Sequence, residues 1–512
     1  MGKPLLALIL AVLLAPGCVT RAINRNFSAV QTDVGGRTGY GVAWIDVTDP
    51  QPEVAQAVSD LLAQPLTADS AVQIALLNNR ELQASFAEIG IEIGEYVQAG
   101  LLPNPVAEAA FRLRGGKTTI ESNATMDFLE ALLIPLRRRL QGAQLAAARN
   151  RVTGEVIDLA AETRTSFMRY LAARQKLALD TDLLDARSAA HDMAAQLRAA
   201  GNIPLLVYER QRADYERAKL DVAQSELHAV EAREELNSRM GLWGAGTEWA
   251  TDARIPDVSE TEIGLDDIEA RAIEASLDLN IAWYEAAAAA GRLGIRRLTA
   301  LLPQFKAGVD AERDLEKHLE IVKRELGDET EYEIEEKGTK KVWWVGPTVT
   351  WEIPLFDQNQ GRRAAARMEV RRRLELFSAL AIEVRNAARL AAYRLDFSRK
   401  RAAFLEQVVV PVQHQITLQS HLEYNAMAQG VFTLLQEKER ELETSRQYIE
   451  ALLDYWEART QTEQLLMGRL YDRQRDVFNE RMKDGPMRRD EQMARNRQDG
   501  GRAAGDRKGG RR

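Results

Sequence analysis

Apolar residues recur at helical spacing over most of this chain and at every second position in four short stretches, and the order of these stretches repeats. In Val106 to Arg114, Ala107, Ala109, Phe111 and Leu113 face one way and Glu108, Arg112 and Arg114 the other. A weaker alternation from Asn123 to Ile134 sets Ala124, Met126 and Phe128 against Thr125 and Asp127. A third stretch sets Phe305, Ala307, Val309 and Ala311 against Lys306, Gly308, Asp310 and Glu312. The fourth sets Trp343, Val345, Val349, Trp351 and Ile353 against Gly346, Thr348, Thr350 and Glu352, with Pro347 unable to donate one ladder bond. Around them the spacing predicts helices over 67–100, 138–199, 205–240, 265–300, 361–429 with a kink at Pro411, and 431–467. Ala218, Val222, Ser225, Ala229, Ala232 and Leu236 form one packing seam; Leu435, Leu442, Ile449 and Trp456 form another at seven-residue spacing.

The order helix, strand, strand, long helix, tip, return helix therefore occurs twice, at 67–241 and 265–470, joined by a turn-rich linker, 242–264. Each second strand runs into Ile-Pro-Leu, at Ile134-Pro135-Leu136 and Ile353-Pro354-Leu355. A proline there suits a strand end followed by a first helical turn, so Pro135 and Pro354 are expected at the strand-to-helix junctions. Leu101-Leu102-Pro103 likewise returns as Leu301-Leu302-Pro303.

Composition sharpens this picture. The formal charge is −8, with 28% charged and 6% aromatic residues, which fits long helices and gives no case for nucleic-acid binding. Residues 1–17 have the form of a signal peptide: Lys3, an apolar run from Leu5 to Leu14, then small residues before Cys18. Cys18 is the sole cysteine, so no disulfide forms within one chain, and its setting resembles a bacterial lipobox with Cys18 as the lipid (palmitate) attachment site. Ordinary signal cleavage beside a chance cysteine is the alternative. Residues 18–66 are expected to be an extended, lipid-anchored lead-in, with Gly35-Gly36 as a turn, and the charged tail 471–512 to be disordered. No later segment is apolar enough for a spanning helix, so any membrane crossing falls to the strands, in a closed barrel. Four strands cannot close one, since about eight is the lower limit, so several chains would share it.

The motifs Ala75 to Gln83 (ALLNNRELQ), Ala99 to Pro105 (AGLLPNP), Ile353 to Asp357 (IPLFD), the glycine-led hairpin tips and Leu466-Met467-Gly468 resemble the outer-membrane efflux protein family. The resemblance covers roughly residues 67 to 470 and lies in the order and duplication of the motifs. It implies a mainly α fold with a small membrane β part: a trimeric α-barrel tunnel and a shared 12-stranded β-barrel, four strands per chain. It also implies an outer-membrane location with a periplasmic tunnel, no enzymatic activity, no cofactor, and as partners a homotrimer, a periplasmic adaptor, an inner-membrane transporter and outer-membrane lipid. Aligning GNIPLLVYERQ from Gly201 with GVFTLLQEKER from Gly430 assigns Gly201, Pro204, Leu205, Gly430, Thr433 and Leu434 to the adaptor-docking tips. Family members often carry acidic gate rings six and nine residues after the second glycine, which here are Gln436 and Glu439. Glu439 could then bias the entrance towards cations, against a solvated helix face as the plain alternative.

The remaining chemistry is sparse. The five histidines lack metal spacing, and the chain offers no Ser-His-Asp set and no phosphate-cradling glycine loop. Arg137-Arg138-Arg139 is expected near lipid head groups or in a solvated collar, and the charged insertion 311–341 to be a solvated loop or short helix. The functional expectation is a passive exit duct of a tripartite export system. Its rival is an exported structural coiled-coil lipoprotein, with the alternating segments packed on helices.

Overall fold

The period-two stretches form one antiparallel sheet because their two faces match across every ladder. A computed structural model describes residues 16–44, 52–114, 117–259, 263–301, 305–326 and 329–471; side chains are described within these ranges except at 16–21, 113–118 and 314–341. Residues 1–15 of the expected signal peptide 1–17 and residues 472–512 of the expected tail 471–512 lie outside the described residues.

One unit comprises the chain up to Ile23 together with Gly90–Ala148 and Ala282–Leu376, and holds the sheet. Its strands are β1 (Val106–Arg114), β2 (Lys117–Asp127), β3 (Phe305–Leu326) and β4 (Glu329–Trp351), in the spatial order β1-β2-β3-β4. The register places Ala107, Ala124, Val309 and Pro347 in one row, and Phe111, Ile120, Arg313 and Trp343 in another. Phe305 and Trp351 pair at the opposite end. One face is thus mainly apolar on all four strands, interrupted by Ser122 and by Arg313, whose guanidinium lies 5.2 Å over the Trp343 ring, and Val309, Val345, Val349 and Trp351 on it are exposed in the single chain. The other carries Glu108, Asp310, Thr348 and an Arg112–Glu121 ion pair at 2.8 Å. From Phe305 to Arg313 is eight residues, about 27 Å along the strand. Gly308 is required by packing: a Cβ there would lie 2.2 Å from the Ala124 carbonyl oxygen of β2.

Three sequence expectations in this unit change. The insertion 311–341 is neither loop nor helix: β3 and β4 continue as a long hairpin, with Ile321 paired to Ile334 and Arg324 to Glu331. The alternation of Glu331, Glu333 and Glu335 with Tyr332 and Ile334 is a strand signal that the high charge obscured. The second strand ends at Asp127 rather than Ile134, because Asp127 caps helix α5 (Phe128–Ala199): its Oδ1 accepts the Leu129 and Glu130 amides at 3.0 and 3.3 Å. Pro135 is therefore no junction but sits inside α5, leaving the Ala131 carbonyl without its helical donor. Arg137 bridges that stretch, donating to the Glu130 carboxylate at 2.6 Å and the Glu130 carbonyl at 3.0 Å, so it is engaged within its own helix. Pro354 lies in an irregular link, 352–359, before α9 (Gln360–Phe404). That helix starts from a buried Asn359 at φ 57, which makes the two copies locally unlike.

The second unit comprises Asn24–Ile89, Arg149–Ile281 and the chain from Phe377 onward. The 18–66 lead-in is largely helical, not extended: α1 covers Pro16–Thr38 and α2 Pro52–Leu62. Gly35 and Gly36 lie inside α1, where burial of Val30 and Val34 and packing of Phe27 against Trp44 and Phe86 outweigh the glycine penalty. The helix expected at 67–100 is two, α3 (Ala68–Asn78) and α4 (Arg80–Gln98), and the one at 265–300 is also two, α7 (Ile268–Ala275) and α8 (Leu277–Leu301). Each breaks at one extended residue, Asn79 or Ser276, whose side chain accepts the amide three residues on. Each break is gripped by a Met-Gly pair after a return helix. Asn78 donates to the Met240 and Gly241 carbonyls, and the Leu277 amide donates to Gly468 at 2.8 Å. The two halves thus share a latch that explains both Met-Gly motifs.

Helices α5 and α6 (Leu205–Met240) make one hairpin; α9, a π-helical turn at Leu405–Val409, α10 (Val410–Asn425) and α11 (Val431–Leu466) make the other. The π-turn lies just before Pro411, where the missing N–H and ring would otherwise disrupt an α-helical ladder. Of the seams, Ala218, Leu236, Leu442 and Ile449 are buried.

Candidate functional site: hairpin tips and the inter-helix clamp

The first tip is built on glycine. Gly201 has φ +76, its amide donates to Arg198, and the Asn202 amide donates back to Leu197 at 2.8 Å, ending α5 in a Schellman turn. Pro204 then caps α6, whose first residue is Leu205; Leu205 and Leu206 are both exposed.

The second tip uses a different residue in the same role. The left-handed position is Met427, at φ 58 and almost fully exposed, with Ala428 donating to Glu423 and Met427 to Tyr424. Gly430 has an ordinary φ of −82 and is the N-cap of α11. The tips therefore superimpose Gly201 on Met427 and Pro204 on Gly430, three residues away from the glycine-to-glycine alignment. Glycine was a poor anchor because the left-handed turn is open at Met427 and tolerates a side chain at about 1–2 kcal/mol. Thr433 is exposed and Leu434 half-buried in the first turn of α11.

Sequence inspection missed the main electrostatic feature here. Gln436 is exposed, but Glu439 is not a free ring group. Its carboxylate takes a two-pronged ion pair from Arg187 on α5, 2.7 Å from Nε and 2.8 Å from Nη2, and Arg187 also meets Asp214 of α6 at 3.0 Å. Two turns along, the polarity reverses: nearly inaccessible Asp180 of α5 pairs with Arg446 of α11 at 3.0 Å and accepts from Ser225 of α6. The ladder continues through Lys176–Glu450 and Arg169–Glu457, both at 2.7 Å. Each step back along α5, of seven, four and seven residues, matches an equal step forward along α11. Such a ladder fixes the antiparallel register of two hairpins while each pair contributes only about 0–1 kcal/mol. Its partners lie more than 250 residues apart, so only the i, i+7 recurrence of opposite charges hinted at it.

Burial raises the Glu439 carboxyl above the usual range, Arg187 opposes this, and Asp214 adds to it. A raised folded pKa means that protonation favours the fold. Glu439 thus costs stability at neutral pH, and the cost is relieved as pH falls through the raised pKa. Glu439→Gln should therefore unfold at a higher temperature than the wild type at pH 7, with the gap narrowing on acidification; a gap independent of pH would contradict this.

Cys18 has its backbone in α1 and its side chain outside those described. Among the described residues no group of three His, Cys, Asp or Glu side chains is placed to hold a metal, and no helix is long and apolar enough to cross a membrane.

Two long helical hairpins and a four-stranded sheet with one mainly apolar face give the chain the fold of known outer-membrane channel proteins. It is 23% identical over 409 residues to the cobalt-zinc-cadmium resistance protein CzcC of Cupriavidus metallidurans, covering 78% of this chain and 85% of that protein. Among solved structures it resembles a membrane protein from Pseudomonas aeruginosa, with TM-score 0.60 and 16% identity over 78% of this chain and 93% of the other. It also resembles the Campylobacter jejuni CmeC outer membrane channel, with TM-score 0.60 and 12% identity over 81% and 89%. No family model matches the sequence.

Proposed function

We propose that the chain is the outer-membrane channel of a tripartite efflux system, a passive exit duct with its helical hairpins in the periplasm. The observation that carries this is the sheet: mainly apolar on one face over a height matching a bilayer's apolar band, polar on the other, and with the outer edges of β1 and β4 unpaired. Edges of this kind cannot stand in lipid, so three copies would close twelve strands into one barrel. The helices point the same way. Leu206, Leu220 and Leu227 on α6, and Leu390, Phe397 and Phe404 on α9, are exposed stripes at heptad spacing that further copies would cover.

In this proposal the tips at Gly201, Pro204 and Leu205 and at Gly430, Thr433 and Leu434 meet a periplasmic adaptor, and an inner-membrane transporter drives export. Gln436 and Glu439 belong to the entrance, with Glu439 acting first as half of the Arg187 clamp. Cys18 would carry the lipid anchor. The relative's name makes divalent cobalt, zinc and cadmium the first cargo class to test.

The rival, a soluble coiled-coil lipoprotein, needs the apolar sheet face buried on helices, whereas Val309, Val345 and Val349 are exposed. Val309→Arg, at mid-height on that face, should cost about 2–4 kcal/mol in the bilayer and reduce assembled protein in membrane fractions. Thr348→Arg on the polar face should leave it unchanged. Equal tolerance of both substitutions would overturn the barrel assignment.

A further inference from the structure

The sheet-bearing unit has a charge pattern that the duct does not use. The chain as a whole is acidic, yet three helical segments of this unit are basic. Residues 128–148 carry three Arg and one Glu, 282–301 three and one, and 360–376 six and two.

Part of this charge lies beneath the lipid-facing side of the sheet. The Phe128 ring packs edge-on against Phe305, 6.5 Å between centroids, and Phe305 belongs to the apolar face. From Phe128 the exposed positions Leu132, Pro135 and Arg139 follow at steps of four, three and four, one stripe of α5 leading away from the sheet. Helix α8 packs beside it, Gly291 against Leu140 and Gly294 against Leu136. It repeats the motif in reverse order, with Arg297 one turn before exposed Leu301. Arg139 and Arg297 are exposed, and among the described residues neither has a carboxylate partner.

We infer that Arg139 and Arg297 form a collar that binds the phosphate head groups of anionic phospholipids in the periplasmic leaflet. This rests on the membrane assignment of the sheet. The apolar residues Phe128, Leu132 and Leu301 would enter the edge of the acyl region, placing each guanidinium one to two turns further out, at head-group depth. Arginine suits this site because its planar fork pairs with phosphate through two hydrogen bonds, and the pairing strengthens where water is partly excluded.

The test uses the full chain, solubilised in detergent and titrated with phosphatidylglycerol or phosphatidylcholine, with retained lipid counted by native mass spectrometry. The wild type should retain phosphatidylglycerol preferentially, and Arg139→Gln with Arg297→Gln should weaken that retention by roughly fivefold per arginine. Phosphatidylcholine retention should not change. Equal retention of the two lipids by the wild type, an unchanged preference in the variant, or complete displacement by millimolar inorganic phosphate would each overturn the collar. Insertion into vesicles is scored separately: a wild type that fails to insert refutes the membrane assignment itself, whereas inserted protein without lipid preference refutes only the collar.

Discussion

Replacing Arg469 with alanine should destabilise the protein by about 3–5 kcal/mol, one of the two largest effects expected of any single substitution in the helical unit. The guanidinium is almost wholly inaccessible and donates to Asp158 at 2.8 Å and to Asp278 at 2.5 Å. Each carboxylate has a second partner: Gln464 donates to Asp158 at 2.8 Å, and the Leu470 amide donates to Asp278 at 2.9 Å. The space is shaped for arginine, since a Cβ on Gly154 would come within 2.9 Å of the guanidinium carbon. Alanine leaves two buried carboxylates facing each other with no cation between them. The magnitude comes from that uncompensated charge, not from the ion pairs as such. A variant combining Arg469→Met with Asp158→Asn and Asp278→Asn should therefore recover most of the lost stability, because buried ion pairs and neutral groups of similar volume are often nearly equivalent. Thermal unfolding of the detergent-solubilised variants measures both; a single Arg469→Ala variant within about 0.5 kcal/mol of wild type would contradict the network's role.

The second large effect is Gly468→Ala. Gly468 has φ +103, and a Cβ there would sit 2.1 Å from the Ala275 carbonyl oxygen, a backbone atom at the helix break that cannot swing aside. Moving it would break the hydrogen bond that the Leu277 amide donates to the Gly468 carbonyl. A loss on the order of 4 kcal/mol or more is expected, in the range reached only by a few steric and burial mechanisms. Gly241→Ala should cost less, since its Cβ would meet the Asn78 carbonyl at 2.8 Å, and Gly201→Ala least, since nothing lies within 4 Å and only the positive φ opposes it. The expected order is therefore Gly468, then Gly241, then Gly201, measured as unfolding midpoints. Equal losses at all three would mean that the φ values, not the latches, set the cost.

The strand faces and the duplication were legible because both are local: period-two alternation needs only neighbours, and the register then carries the apolar rows across all four strands. The errors arose where one strong local signal was trusted over a weaker competing one. Pro135 looked like a helix start, but Asp127 offered a side-chain cap eight residues earlier and won. Gly430 looked like the turn residue, but the turn formed at Met427, where open space leaves only the intrinsic left-handed cost of about 1–2 kcal/mol. The charge of 311–341 suggested a solvated loop and masked the alternation of Glu331, Glu333 and Glu335 with Tyr332 and Ile334. Glycines in α1 suggested a turn, yet Val30 and Val34 buried the helix against distant residues. The Glu439 clamp and the Arg469 network were not legible at all, since each joins positions far apart in the chain and depends on packing that no sequence window contains.

The central claim is that this chain supplies a third of a membrane barrel whose edges only other copies can close. The mass of the detergent-solubilised particle, taken from the membrane fraction and corrected for bound detergent, tests it most directly. Three chains per particle is the predicted result. A monomer that remains soluble once detergent is withdrawn would contradict it, because β1 and β4 would then be open edges that no bilayer could accommodate.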